Sequence, residues 1–325
     1  MVAQYNQSNK LIQYQLIVDE SAHGLRLDQA LAQYLPDYSR SRIQEWIKQG
    51  FILLNSVASK PRDKVFDGDK INLDVPETTK TFDQPQVIEF DVVYQDDSMF
   101  VINKPAGLVV HPAAGHESGT LMNGLLYQDE ALQQLPRAGI VHRLDKDTTG
   151  LMVVARTLQA HNALVEALQA RDIKREYVAI TRGIITAGRT IDEPISRHPV
   201  DRKRMAVQTN GKPAVTHFQV AQKFRAHSLI DVQLETGRTH QIRVHLAFVH
   251  HALLGDPVYG GRLAIPSGIS AGLAQQLRMF KRQALHAYRL SFDHPLSGEA
   301  LSFKAEIPQD MQNMITALRA DAGRE

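Results

Sequence analysis

The chain has 325 residues, 43% hydrophobic and 22% charged, a balance close to that of globular proteins that excludes a largely disordered polymer. Its 37 Lys and Arg stand against 35 Asp and Glu, and a net charge of +2 is too small to imply a polyanionic partner, so only local clustering bears on nucleic acid. Absence of cysteine excludes disulfides, thiolate catalysis and Cys-ligated zinc, and with neither a leader-like N-terminus nor an apolar run of about 18 residues the chain reads as cytoplasmic, without a membrane partner.

Residues 1–12 read as a tail. "LRLDQALAQYL" then carries Leu27, Ala30, Leu31, Tyr34 and Leu35 at helical spacing, and "SRSRIQEWIKQG" does the same with Ile43, Trp46 and Ile47. Ser41 and Gln44 fit a capping box, and Gly50 is placed to end the second helix. "FILLN" and "KINLDV" read as strands, with the turn "FDGD" before the second. This small unit covers residues 13–76, and 77–86 is a linker.

From residue 87 to 318 strands dominate: "VIEFDVVY", "MFVINK", "GLVV", "GIVHRL", "LMVVA", "REYVAITRG", "VTHFQVAQKF", "SLIDVQLETG", "LHAYRLSF" and "LSFKAEI". Helices are expected over Thr157–Ala170, with Leu158, Leu164, Val165 and Leu168 inward, at "THQIRVHLAFV", and at "PQDMQNMITALRA", opened by Pro308. Residues 319–325 read as a second tail. Strands without regular βα alternation predict an α+β fold: a largely antiparallel mixed sheet with flanking helices, preceded by the small unit.

Between residues 39 and 64 lie six basic residues (Arg40, Arg42, Lys48, Lys60, Arg62, Lys64) and two acidic ones (Glu45, Asp63), a surplus of four. Charge on one surface strengthens RNA binding through released counterions, although charge alone also describes an ordinary solvated face. The order of features, with Arg26-Leu27-Asp28, Ser39-Arg40, Gly50, Asn55 and Gly68-Asp69, resembles the alpha-L RNA-binding domain first known in ribosomal protein S-four. That resemblance places RNA contacts at Arg40, Arg42, Lys60 and Arg62. Trp46, spaced with Ile43 and Ile47, belongs to the core.

In "GIVHRLDKDTTGLMVVA" Asp145 and Asp147 fit the D-x-D-x-T pattern of Mg²⁺-dependent aspartate phosphatases. Such enzymes need a buried strand leading in and a downstream carboxylate for the ion. Here His142 and Arg143 break the lead-in, and Gly260 and Gly261 of "GDPVYGG" stand where the second carboxylate belongs. The other reading leaves Asp145 to act alone as a nucleophile, with Asp147, Thr148, Thr149 and Gly150 shaping its turn.

"HRLDKDTTGL" is similar to the signature of the pseudouridine synthases that modify large-subunit ribosomal RNA and some transfer RNA. "INKPAGLVVHP", "REYVA", "LETGRTHQIRVH", "GDPVYGG" and "LHAYRLSF" follow that family's motifs in order. The resemblance implies an RNA isomerase without cofactor or metal. In it Asp145 is the nucleophile, Arg238 its guanidinium partner, Tyr177 stacks on the uracil and moves a proton, and Arg143 enters the RNA stack in place of the flipped uridine. The implied partner is large-subunit ribosomal RNA or a pre-ribosomal particle, met by a monomer. Alternatives are an RNA-binding assembly factor with secondary catalysis, or a synthase acting on another ribosomal or transfer RNA site.

Three further features have modest readings. His240 and His245 are five apart, a poor spacing for two metal ligands on one helical face. "SRHPVDRKRMAV", with Arg197, Arg202, Lys203 and Arg204, is either a basic loop over RNA or an exposed loop. Lys104 and Pro105 form the floor of the site.

Overall fold

Two periodicities divide the molecule, and the chain separates into two units, Met1–Thr81 and Phe82–Glu325. The computed structural model describes residues 2–6, 11–35, 38, 40–76, 84–112, 116–201 and 204–323. Most of the expected linker, residues 77–83, lies outside the described residues, as do Ser39, Arg202 and Lys203.

In the first unit, strands β1 (Val2–Asn6), β2 (Leu11–Ile17), β3 (Ile52–Leu54), β4 (Val57–Ala58) and β5 (Lys70–Pro76) form an antiparallel sheet in the order β1-β2-β5-β3-β4. Helices α1 (Leu27–Tyr34) and α2 (Arg40–Gln49) share a core with it through Leu27, Leu31, Ile43, Ile47, Ile52 and Ile71. Trp46 is 2% exposed within this core, as its spacing requires. Residues 2–6 are therefore paired strand rather than tail; a polar stretch such as "VAQYN" shows little periodicity, and its partner only seven-residue β2 reveals. The capping box also differs: α2 begins at Arg40, so Ser41 is already helical. Gln44 donates instead to Asp28 Oδ2.

The second unit is built on β6 (Asp91–Gln95), β7 (Met99–Lys104), β8 (Thr149–Ala155), β9 (Lys174–Arg182), β10 (Arg189–Asp192), β11 (Ile195–Arg197), β12 (Met205–Val207), β13 (Val215–Lys223), β14 (His227–Leu234), β15 (Leu285–Asp293) and β16 (Ala300–Lys304). Nine of them form one sheet, ordered β10-β13-β14-β9-β15-β8-β7-β6, with β16 beside the far end of β15; β11 and β12 form a separate hairpin. Every pairing in the large sheet is antiparallel except β8 with β15.

Strand β8 alternates between two cores, which explains its unbroken apolar run. Met152 and Val154 face one cluster, shared with α3 (Leu121–Gln128) and α5 (Gln241–Phe248). Leu151, Val153 and Ala155 face another, shared with α4 (Leu158–Ala170). Helices α6 (Ala271–Met279) and α7 (Gln309–Ala322) bury a third. Helix α7 runs through most of the expected C-terminal tail because Leu318 and Asp321 are buried, and Asp321 accepts the Ser270 N–H at 2.9 Å.

Two expected strands are irregular. The carbonyls of Val109 and Val110 in "GLVV" accept the N–H groups of Leu121 and Met122 and so cap α3 instead of joining a ladder. In "GIVHRL" only Ile140 bridges to β8, and the His142 ring accepts the Val153 N–H at 3.0 Å where a strand would have paired. On α4, Thr157 caps the N-terminus as a side-chain acceptor, but Leu158 faces outward at 56% exposure.

Candidate active site

Asp145 begins a tight turn, its carbonyl accepting the Thr148 N–H at 3.1 Å. Lys104, fully buried at the end of β7, holds that turn from beneath: its ammonium donates to the carbonyls of Pro105, Leu108 and Lys146 at 2.7, 2.9 and 2.8 Å. Burial pulls Lys104 down to about 7, opposed by the charges of Asp147 and Asp145. Three carbonyl acceptors require three N–H donors, which favours the ammonium form. Asp147 contributes its carbonyl, which accepts from Arg282 at 3.3 Å, and its charge beside Lys104. Gly150 lets the turn enter β8: its φ is +117°, and a Cβ there would collide with the Ala287 main chain on β15.

The guanidinium that meets Asp145 is Arg243, not Arg238. Arg243 Nη1 lies 2.9 Å from Asp145 Oδ2, while its Nε and Nη2 fork onto Asp256 at 2.7 and 2.9 Å. Arg238 sits in the turn ahead of α5, exposed, with Nε donating to the Pro213 carbonyl at 3.0 Å. Arg243 is the third residue of α5, on its buried face, 5% exposed. One signal could have found it. "QIRVH" sets a charge between two apolar residues on an expected helix, and a buried charge demands partners; "GDPVYGG" supplies Asp256, which reads as a poor metal motif only when Arg243 is left out.

Asp256 carries its negative charge despite burial, which alone would raise its carboxyl; Arg243 and the N–H groups of Tyr259 and Val258 outweigh that and lower it. Tyr177 on β9 is 5% exposed and lines the same cavity. Burial raises its phenol above the ordinary range, so it stays neutral and able to give a proton. Arg143 is exposed at the rim.

The cavity measures about 570 Å³ and is lined by Arg137, Arg143, Arg171, Arg175, Arg238 and Arg243 against two acids, Asp145 and Glu235. Arg137, Arg171 and Arg175 are absent from the expected set; Arg175 opens the "REYVA" motif and Arg137 lies in "PRAGIVHRLDKDTTGLMVVA", but only the fold brings them to the cavity wall. His111 also lines it; burial first, then Arg137 and Arg143, pull its imidazole to about 4. His245 is structural, bonding Thr216 Oγ1 and the Glu193 carbonyl at 2.9 Å each. In the hairpin of β11 and β12, Arg204 stacks over the Tyr259 ring at 5.3 Å.

On the small unit, Arg40 binds Asp28 through Nε at 3.0 Å and Nη2 at 2.9 Å. Arg42 lies over Trp46 at 5.4 Å, and Lys60 and Arg62 are exposed in the loop after β4.

A carboxylate braced by a buried arginine, beside a neutral tyrosine in an arginine-rich cleft, defines a site for chemistry on a polyanion. The profile of the RNA pseudouridylate synthase family matches residues 98–248, and that of the S4 domain matches residues 25–71. The chain is 52% identical over 310 residues to ribosomal large subunit pseudouridine synthase D of Xanthomonas campestris pv. campestris, covering 95% of this chain and 94% of that protein. With the protein of the same name from Escherichia coli (strain K12) it shares 52% identity over 311 residues, 95% of each chain. The chain belongs to the RNA pseudouridylate synthase family and is an RNA pseudouridine synthase, an isomerase. The D-type resemblance of "PRAGIVHRLDKDTTGLMVVA" and "DEPISRHP" agrees with the relatives' names. Among solved structures, human RNA pseudouridylate synthase domain containing 4 superposes with a TM-score of 0.55 at 28% identity, covering 70% of this chain and 92% of that one.

Proposed function

We propose that the protein isomerises specific uridines to pseudouridine in large-subunit ribosomal RNA, with Asp145 as nucleophile. The observation that carries this is the Asp145–Arg243–Asp256 array opening into an arginine-lined cavity. Arg243 braces Asp145 for attack through its contact to Oδ2, and Asp256 keeps Arg243 from swinging to RNA phosphates.

The reaction breaks the bond from N1 of uracil to the ribose, turns the ring, and joins C5 to the same ribose carbon. The C5 proton leaves and N1 gains one, so no redox partner is needed. Asp145 adds to the sugar or the ring and departs when the C–C bond has formed, as in retaining glycoside chemistry. Tyr177, placed against the ring, exchanges the proton.

A stacked uridine must first be extruded, at roughly a few kcal/mol, and Arg143 at the rim fills the gap. That cost is lower before the RNA is locked in a mature particle, which favours a pre-ribosomal substrate in the cytoplasm. Arg40, Arg42, Lys60 and Arg62 of the S4 domain hold flanking RNA through phosphates. Asp145, Arg243 and Tyr177 come from one chain, so a monomer suffices. Among the described residues no helix is long and apolar enough to cross a membrane.

The test is to incubate large-subunit RNA lacking pseudouridine with the protein in EDTA, and map the products beside Asp145→Asn. The wild type should convert uridines without added metal, and the variant should convert none. An inert wild type, or an active Asp145→Asn, overturns the proposal.

A further inference from the structure

Arg243 fixes only one oxygen of Asp145. Its bond reaches Oδ2, and the terminal torsion of an aspartate is broad, so the carboxylate plane can still swing about a single bond. The neighbour of the other oxygen is His240, whose Nε2 lies 3.9 Å from Oδ1. That gap is too long for a hydrogen bond, but such contacts commonly tighten only when substrate fills the site.

The imidazole is held with unusual care. His240 has a left-handed backbone, φ +57°, at the N-terminus of α5, a conformation that few non-glycine residues adopt. Its ring stands edge-on to Tyr259, with centroids 5.7 Å apart, and Nδ1 is 2.9 Å from the Tyr259 hydroxyl. The Met205 main-chain N–H, which can only donate, meets the same hydroxyl at 2.9 Å. With the phenolic oxygen already accepting from Met205, its own proton is the one available to the Nδ1 contact. Nδ1 is an acceptor, and the single proton of a neutral imidazole then sits on Nε2, the nitrogen facing Asp145. The ring is neutral: burial lowers its basicity, and Arg243 and Arg143 add to this against the pull of Asp145 and Asp256.

We propose that His240 is a positioning residue for Asp145, locked by Tyr259 in the Nε2–H tautomer, its N–H closing on Oδ1 when uridine enters and fixing the carboxylate plane. This rests on Asp145 being the nucleophile. A neutral donor suits the task, since it fixes the carboxylate plane through one N–H without adding a second cation beside Arg243.

The test compares His240→Gln with His240→Asn in single-turnover conversion of large-subunit RNA, with binding and thermal melting measured alongside. Gln places its amide N–H where Nε2 was; Asn places it at the Nδ1 position and cannot reach. Backbone strain argues the opposite way, because Asn tolerates positive φ better than Gln. The proposal expects Gln to stay within about threefold of wild type and Asn to lose about 10- to 100-fold in rate with unchanged RNA affinity, the size of one charge-assisted bond. Tyr259→Phe keeps the ring over Arg243 and removes only the hydroxyl. It should slow the wild type several-fold and add nothing to the rate loss in a His240→Gln background.

Asn equal to or better than Gln, or a rate effect of Tyr259→Phe that is the same in both backgrounds, overturns the assignment. Asp145→Asn, run in parallel, separates the two levels. An active Asp145→Asn removes the nucleophile and this inference with it, whereas an inactive one with Asn at or above Gln removes the inference alone.

Discussion

Two basic regions of this protein differ in how they are made. The S4 domain carries its charge within one stretch, residues 39–64, whereas the catalytic cavity draws six arginines from positions spread between 137 and 243. Counting charge along the chain finds the first and misses the second, because an almost neutral total of +2 hides a cleft in which six guanidiniums face two carboxylates. The regions also spend their arginines differently. In the cavity Arg243 is buried between Asp145 and Asp256; on the S4 domain Arg40 lies at the surface, 44% exposed, while the Asp28 it binds is fully buried.

The largest effect should come from breaking the buried array. Arg243→Ala leaves Asp145 and Asp256 facing each other without a countercharge, and loss of one partner of a buried pair costs about 3–5 kcal/mol. Conversion should become undetectable and the melting temperature should fall. Arg243→Lys should recover part of the stability and little activity, since an ammonium cannot fork onto Asp256 and still reach Asp145. Arg238→Ala, by contrast, should retain most of the chemical rate. A chemical step that depends on Arg238 and tolerates Arg243→Lys would reverse the assignment made from the distances.

That contrast also marks what the amino-acid sequence makes legible. The turn around Asp145 is readable because its charge pattern interrupts an apolar run, and β7, β8, β9, β13, β14 and β15 are readable from unbroken or alternating hydrophobicity. Arg238 and Arg243 occupy one motif, and proximity in sequence cannot say which of two arginines faces inward; the helix phase of α5 decides it. "GLVV" and "GIVHRL" have strand-like composition, yet their main-chain groups go to α3 and to a histidine ring, a choice made by tertiary neighbours.

Lys104 comes next. Lys104→Met preserves the volume and apolar stem but strands three carbonyls, and each unsatisfied buried group costs about 1–3 kcal/mol. Melting should fall by several degrees and conversion should drop even below the new melting point, because the turn that aims Asp145 loses its support. Unaltered activity at low temperature would show that the turn is held by β7 and β8 alone.

Acid should weaken the catalytic unit before it weakens the S4 domain. His227 and His286 are 4% and 1% exposed, and burial lowers both imidazoles to about 4. Below the ordinary value near 6.5 the unfolded chain takes up protons that the folded one refuses until about pH 4. Stability is therefore present above that window and lost as pH falls through it, at up to roughly 1.4 kcal/mol per pH unit for each group. Melting followed from pH 7 to 4 should show this slope, and His286→Asn, which keeps a partner for Thr149, should reduce it. An equal slope in that variant would place the acid sensitivity elsewhere.

The smallest effects belong to the S4 domain, where two arginines proposed for the same role should separate. Arg62 is exposed and, among the described residues, has no hydrogen-bond or ion-pair partner, so Arg62→Ala should leave melting unchanged, weaken RNA binding, and lower the salt slope by about one counterion. Arg40 is shared between solvent and Asp28, whose carboxyl burial would raise but which the bonds from Gln44, Arg26 and Arg40 hold low. Arg40→Ala should therefore cost folding stability as well as affinity, and Arg40→Ala with Asp28→Asn should recover the stability without recovering the salt slope. If the double variant regains RNA affinity too, Arg40 acts on RNA only by keeping α1 and α2 together. If instead Arg40→Ala changes affinity alone, the ion pair is an idle surface contact, and the S4 domain's charge is all available to RNA.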